Sequence, residues 1–318
     1  MTSWAVYGHD RLLAMLPDWN PKRSELELQQ KNRRAGLAGE ERVLKVLHSS
    51  GLPADSIILS DISLQMMPGV SFQLDALVLT PGMALIFETK QIAGRLRFVR
   101  NPAQLEKVED GMVIQSMDCP AAQFEDQRAS LETWLRMRGF SVPIGGSVVF
   151  TTNPIIETIP RGLPVIKLRE LRGFIAKSLQ FTPVMSERDI EVLANTIRSS
   201  HSPYNPFPLL SRYGLDAREF DWSAKCGCGN KYEKVSQRLW RCNSCKLKGE
   251  ISYPKVLLDW FLLRSNLITV LQCADMLQIS PRSALRLLKE LPLRKINRGK
   301  ATAYEIDYRS LPQWSTFL

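Results

Sequence analysis

The chain has no run of about 18 consecutive apolar residues, so no helical membrane span is expected. Its opening stretch, MTSWAVYGHDRLLAMLPDW, lacks a basic segment leading into a long apolar one. No secretion signal is expected from it, and the cytoplasm is the expected compartment. Acidic residues are in deficit. Asp and Glu number 32 against 42 Lys and Arg, giving a net charge of +10 and a pI near 9.4. Such a balance favours a polyanionic partner, nucleic acid before a membrane surface. Cysteine is scarce outside one cluster. Of six cysteines, Cys119 and Cys273 stand alone and the other four fall between 226 and 245. In a reducing compartment that cluster reads as a metal site rather than a disulfide framework. What the chain does have is length for two or three domains, 318 residues, and a hydrophobic content of 44% that supports ordinary globular cores.

The most informative stretch is Ser71 to Gly94, SFQLDALVLTPGMALIFETKQIAG. Residues 72–79 and 83–90 are rich in Phe, Leu, Val and Ile, and Pro81-Gly82 marks a turn between them, which predicts two strands of a hairpin. With either a two- or a four-residue loop, Leu79 pairs with Ala84, Asp75 lies opposite Glu88, and Gln73 faces Lys90. Alternation then gathers Gln73, Asp75, Glu88 and Lys90 on one face, beyond Leu77, Leu79, Ala84 and Ile86. Phe72, Leu74, Val78, Leu85 and Phe87 take the other face. Facing carboxylates repel, and a bound cation reverses that sign. Oxygen ligands of this kind suit Mg²⁺ or Mn²⁺. Two readings fit at this point: a hairpin with polar residues on a solvated edge, or a buried hairpin whose rim binds a cation beside Lys90.

Residues 36–50, GLAGEERVLKVLHSS, predict an amphipathic helix on Leu37, Val43, Leu44 and Leu47. Glu40 falls on that apolar stripe and needs a partner there. Either it pairs with a nearby Arg or it points into the same site as Asp75 and Glu88. Further elements are expected as strands near 56–59, 95–99, 111–114, 145–150 and 163–166. Helices are expected at 119–138, opened by Pro120 with Gln123 in its first turn, and at 168–180 and 186–198. Helix, strands, helix and strand make an α/β layered core.

Gly39-Glu40 on an opening helix, Gln73-Leu74-Asp75 closing on Pro81-Gly82, Glu88-Thr89-Lys90 with Gly94, and Pro120 with Gln123 form an ordered set. In that set, over roughly residues 36–170, the chain resembles the nuclease-related domain (NERD) family. That family resembles the restriction-endonuclease-like superfamily, with an Asp on one strand and Glu-x-Lys on the next. The resemblance implies a mixed-sheet core flanked by helices, Asp75 and Glu88 as metal ligands, Lys90 as the catalytic lysine, and Glu40 and Gln123 as accessory site residues. Cys119 departs from the family pattern, which often has Asn before that proline.

Residues 199–222, with three prolines in SSHSPYNPFPLLSRY, read as a linker, and His201 as its surface. Cys226-x-Cys228 and Cys242-x-x-Cys245 match a Cys₄ zinc site, structural because four thiolates leave no open position. The surrounding unit, 223–250, looks like a zinc ribbon and carries seven basic residues against two acids, Glu233 and Glu250. Residues 251–318 predict helices at 253–264 and 268–277. A third is capped by Ser280 with Pro281 at its first position, and two strands flank the basic tip Asn297-Arg298-Gly299-Lys300. That order resembles a winged helix-turn-helix, whose third helix enters the major groove. Arg282, Arg286 and Lys289 on that helix, with Arg298 and Lys300 on the tip, are the expected nucleic-acid contacts. From 281 to 309 there are eight basic residues against three acidic.

The expected organisation is an N-terminal arm (1–35), a NERD nuclease-like domain (36–198), a linker (199–222), the zinc ribbon (223–250) and a winged-helix-like module (251–318). The expected activity is that of a Mg²⁺-dependent deoxyribonuclease with its own DNA-binding tail and a structural Zn²⁺. The rival expectation is a non-catalytic DNA-binding regulator or adaptor on a nuclease-like scaffold.

Overall fold

The computed structural model describes residues 4–159, 162, 164–223, 226, 228, 230–236, 239–249, 251–298 and 301–317. Its chain divides into two compact units, residues 32–204 and residues 1–31 with 205–318. Among the described residues no helix is long and apolar enough to cross a membrane. The architecture is mixed α/β.

The chain opens with α1 (Trp4–Met15) and α2 (Arg23–His48). The predicted helix at 36–50 is thus the end of a longer one, and the unit boundary falls within it. In the unit of residues 32–204, α2 is followed by β1 (Ile57–Met67), β2 (Val70–Leu79), β3 (Ala84–Lys90), β4 (Arg95–Arg100), β5 (Ala103–Glu109), β6 (Met112–Asp118) and α3 (Pro120–Arg136). Then come β7 (Ile144–Phe150), β8 (Ile155–Thr158), β9 (Val165–Lys167), α4 (Leu171–Ser178) and α5 (Glu187–Ser200). β5 and β8 are additions to the predicted set.

Two sheets form. The first has the order β1-β2-β3-β7-β9, antiparallel through β3 and parallel from β3 to β9. The second has the order β6-β5-β4-β8. The predicted hairpin register is found: Leu79 pairs with Ala84, and pairing runs to Ala76 and Phe87. Gly146 is a place where only glycine fits, because a Cβ there would lie 1.8 Å from the Ile86 carbonyl oxygen of the neighbouring strand.

One face of the first sheet packs Leu77, Leu79, Ala84, Ile86 and Phe150 with Phe124 and Leu131 of α3 and Ile190 and Leu193 of α5. The other packs Val78, Leu85 and Phe87 with Val43 and Leu47 of α2 and Leu171 and Ile175 of α4. Both β1 and β2 switch faces part-way. Leu59 and Ile62 share one core, although odd and even positions should diverge, and Leu74 joins the core of Leu77. The switch falls at Asp61, which has a left-handed φ of 50°, and at Asp75 on the adjacent strand. Phe72 and Leu74 therefore lie on the face of Leu77 and not opposite it, correcting strict alternation.

The other unit gathers α1, α6 (Leu209–Tyr213) and β10 (Tyr232–Lys234), β11 (Trp240–Cys242) and β12 (Lys248–Gly249). After them come α7 (Tyr253–Asp259), a π-turn at Trp260–Arg264, β13 (Leu267–Thr269), α8 (Val270–Leu277), α9 (Pro281–Glu290), β14 (Leu293–Arg298), β15 (Ala301–Ile306) and α10 (Leu311–Trp314). The helix expected at 268–277 starts later, because Thr269 caps it and accepts from the Gln272 N–H. The sheet order β13-β15-β14 with α8 and α9 between its strands fits the winged-helix order expected from sequence.

The first 31 residues are not a free arm. Leu12, Leu16 and Leu26 share a core with Leu257, Phe261 and Trp314, and Arg11 makes a two-pronged ion pair with Asp259 at 2.7 and 2.8 Å. Nor is the expected linker bare, since Phe207, Leu209, Leu210 and Phe220 are buried in that same core. Prolines marked the turns there, but the apolar residues between them decide the packing. His201 also has a structural task. Its Nδ1 accepts from the Ser63 N–H at 3.1 Å, and Ser202 N–H donates to the Ser63 carbonyl, which pins the chain to β1.

Candidate active site

The site begins where β2 and β3 stop pairing. After Ala76 and Phe87 the ladder ends, and the Thr89 N–H donates to Asp75 Oδ2 at 2.8 Å. A side chain thus takes the backbone donor that the departing strand leaves. Glu88 sits beside this opening, 2% exposed, on the face covered by α3. Lys90 Nζ donates to Glu88 Oε1 at 2.7 Å and to Gln123 Oε1 at 2.9 Å. Gln123 is held in place because Pro120 opens α3 and Cys119 supplies its N-cap backbone.

Sequence reasoning did not single out Gln127, one turn further along α3. Its Nε2 donates to Glu88 Oε2 at 2.6 Å and to the Gln73 carbonyl at 3.0 Å. Its signal was available: Phe124, Gln127, Leu131 and Leu135 make one helical stripe, buried in the structure, and a polar residue on an apolar stripe needs a partner. Asp61 is a second addition. It acts electrostatically on Glu40 and accepts from Gln73 Nε2 at 2.9 Å. Gln73 does not face Lys90 as counted. The strand has switched faces at Asp75, so its side chain turns to Asp61.

Glu40 comes from α2, on the opposite face of the sheet. Its approach depends on Gly39, where a Cβ would lie 3.0 Å from Gln91 Oε1, 3.1 Å from Thr151 Oγ1 and 3.3 Å from Thr89 Cγ2. One turn on, Arg42 binds the Thr151 carbonyl at 3.2 Å and the Gln91 side chain, which ties α2 to the ends of β3 and β7.

The electrostatics are those of crowded carboxylates, Glu88 buried and Asp75 and Glu40 half-buried. Burial, then the charge of Glu88, pushes the Asp75 carboxyl up to about 8; the Thr89 N–H and Lys90 oppose this, while Glu40 adds to it. Burial first, then Asp61, Glu88 and Glu41, raise Glu40. Two buried side-chain oxygens close by, Thr89 Oγ1 and Gln127 Oε1, have no partner among the described residues. A divalent cation suits this set: it would favour the charged form of both carboxylates. The residues fit such a group, with Asp75 and Glu88 as the oxygen donors.

In the other unit the Sγ atoms of Cys226, Cys228, Cys242 and Cys245 lie within 4.8 Å of one another. Cys226 is 3.7 Å from Cys245, and Cys228 is 3.4 Å from Cys242. A zinc–sulfur bond of 2.3 Å in a tetrahedron spaces sulfurs by about 3.8 Å, so the cluster fits zinc. The antiparallel β10-β11-β12 sheet fits a small zinc ribbon, and Lys234 Nζ donates to the Gln278 carbonyl between α8 and α9 at 2.7 Å. Arg282, Arg286 and Lys289 are exposed on α9, whose Ser280 cap accepts from the Ser283 N–H at 3.1 Å. The backbone of Arg298 ends β14; Lys300 lies outside the described residues.

An Asp at a strand break, Glu-x-Lys on the next strand and a helix closing over them make a carboxylate–lysine cluster. Residues 35–151 match the family model described as the nuclease-related domain (NERD), a little over a third of the chain. Comparison with curated proteins and with solved structures gives no match.

Proposed function

We propose that the chain is a metal-dependent nuclease that hydrolyses phosphodiester bonds in DNA, with the zinc ribbon and winged-helix-like module as its nucleic-acid-binding elements. The observation that carries this reading is the juxtaposition of half-buried Asp75 and buried Glu88 with the Lys90 ammonium 2.7 Å from Glu88, within the stretch that matches a nuclease-related domain.

Asp75 and Glu88 would hold Mg²⁺ or Mn²⁺, which when bound supplies Lewis-acid polarisation of the phosphodiester and activation of water. The protein's own groups do the rest. Glu88 keeps its two oxygens aimed by separate donors, Lys90 and Gln127. Lys90 places a fixed positive charge where negative charge grows on the phosphate, and Gln123 orients that ammonium. Glu40 adds a further carboxylate at the rim, and Gly39 lets it come close. The opening between β2 and β3 is lined by protein on both faces of the sheet, so charge interactions there act with less screening than in water.

DNA as substrate is supported by the helix order of the tail and by the exposed basic face of α9, which suits a groove and its phosphates. The test is a cleavage assay on duplex, single-stranded and branched DNA and on RNA, with Mg²⁺ or Mn²⁺. Metal-dependent cleavage of DNA is expected. Cleavage of RNA alone would overturn the substrate, and tight DNA binding with no cleavage of any substrate would favour a regulator.

A further inference from the structure

Past Ala76 and Phe87 nothing in the backbone ladder joins β2 to β3, yet Asp75 and Glu88 have to keep one separation if both are to reach a single cation. Gln127 bridges that gap. It is 6% exposed, and its one amide group gives a proton to each side, to the Gln73 carbonyl of β2 and to Glu88 Oε2 of β3. Both partners accept only, so the amide has a single workable orientation, with Nε2 turned toward the gap. Among the described residues its buried Oε1 has no partner. Phe124 and Leu131, about one turn to either side on α3, are buried and apolar, and a methionine of similar length is a near volume-conserving replacement beside them. A glutamine kept only for packing has no need of that orphaned oxygen.

We infer that Gln127 is a positioning residue that fixes Glu88 against β2 across the strand opening, so that Glu88 and Asp75 converge on one divalent cation. This rests on the metal-dependent reading above. Lys90 holds Oε1 and Gln127 holds Oε2, and each carboxylate oxygen keeps a further lone-pair direction for the ion. Without Gln127, Glu88 turns about its last torsion and the two strands lose this bridge, keeping the bond from the Thr89 N–H to Asp75 Oδ2. Outer partners of metal ligands commonly set affinity in this way.

The experiment is Mn²⁺ binding to the full-length, zinc-loaded protein, read from the electron paramagnetic resonance signal of free Mn²⁺. The wild type, Asp75→Asn and Gln127→Met are compared, with melting measured in the absence of Mn²⁺. The expected result is binding by the wild type, loss in Asp75→Asn, and affinity weakened about 10- to 100-fold in Gln127→Met with melting unchanged or raised. Gln127→Asn keeps the amide but is one methylene too short to reach both acceptors. It is expected to weaken binding in the same direction, and it decides the matter where the methionine variant does not fold. Wild-type Mn²⁺ affinity in the folded Gln127 variants, with or without a lower melting temperature, would overturn the positioning role and leave the metal site standing. No Mn²⁺ binding by the wild type, or undiminished binding by Asp75→Asn, would remove the metal site itself and the inference with it.

Discussion

The Thr89 N–H donates to Asp75 Oδ2 at 2.8 Å, at the point where β2 leaves β3. One carboxylate therefore ends a ladder and begins a site. Held there, it is half-buried and close to Glu88, and its carboxyl is pushed up to about 8.

That shift makes the stability of the metal-free protein depend on pH. The folded state keeps a proton on Asp75 that the unfolded chain releases near the ordinary carboxylate value of about 3.9. The contribution is fully present below about pH 4 and is lost as pH rises through about 8. Asp75→Asn removes the dependence. In EDTA its melting temperature is expected to exceed that of the wild type by several degrees above about pH 8, the gap closing toward about pH 4. Thermal scans across this range check it; parallel curves would contradict the assignment.

Gly39 sets how near Glu40 can come. A Cβ there meets Gln91, Thr151 and Thr89 at 3.0 to 3.3 Å. Gly39→Ala needs shifts of a few tenths of an ångström from Gln91, Thr151 and Thr89 and is expected to slow cleavage modestly. Gly39→Val pushes α2 outward and is expected to slow it on the order of 10²-fold, since small misplacements of site groups are costly. Steady-state cleavage rates at matched melting temperature separate displacement from unfolding.

The four-cysteine cluster predicts one zinc per chain by elemental analysis. Cys242→Ser should release it and lower the melting temperature of the unit that contains the ribbon, because metal binding and folding are linked in such small modules. Retention of a full equivalent of zinc would contradict the ligand set.

On α9, Arg282→Gln, Arg286→Gln and Lys289→Gln should each weaken DNA binding and lower the slope of log affinity against log salt by about 1 if each meets a phosphate. Equal slopes in all three would place the nucleic-acid contact elsewhere on the chain.

The hairpin was legible because Pro81-Gly82 fixes a turn and alternation then counts Leu79 onto Ala84. The cysteine cluster was legible from spacing alone. The face switch at Asp61 and Asp75 was not, because a left-handed residue inside a strand leaves no mark in a polar-apolar pattern. Strict alternation therefore carried Gln73 to the wrong partner. Gln127 was half-visible, a polar residue on the stripe of Phe124 and Leu131, and the same logic that marked Glu40 applies to it. The packing of the first 31 residues with the C-terminal segment was hidden for another reason. Arg11 and Asp259 are far apart in sequence, and periodicity reports only which face is apolar, not what covers it.

The most direct test of the metal–lysine account is single-turnover cleavage of DNA by the wild type, Asp75→Asn and Lys90→Met, each with Mn²⁺ binding measured alongside. The account predicts that Lys90→Met still binds Mn²⁺ yet cleaves on the order of 10²- to 10³-fold more slowly. It predicts that Asp75→Asn loses both properties. Cleavage by either variant at the wild-type rate would contradict it.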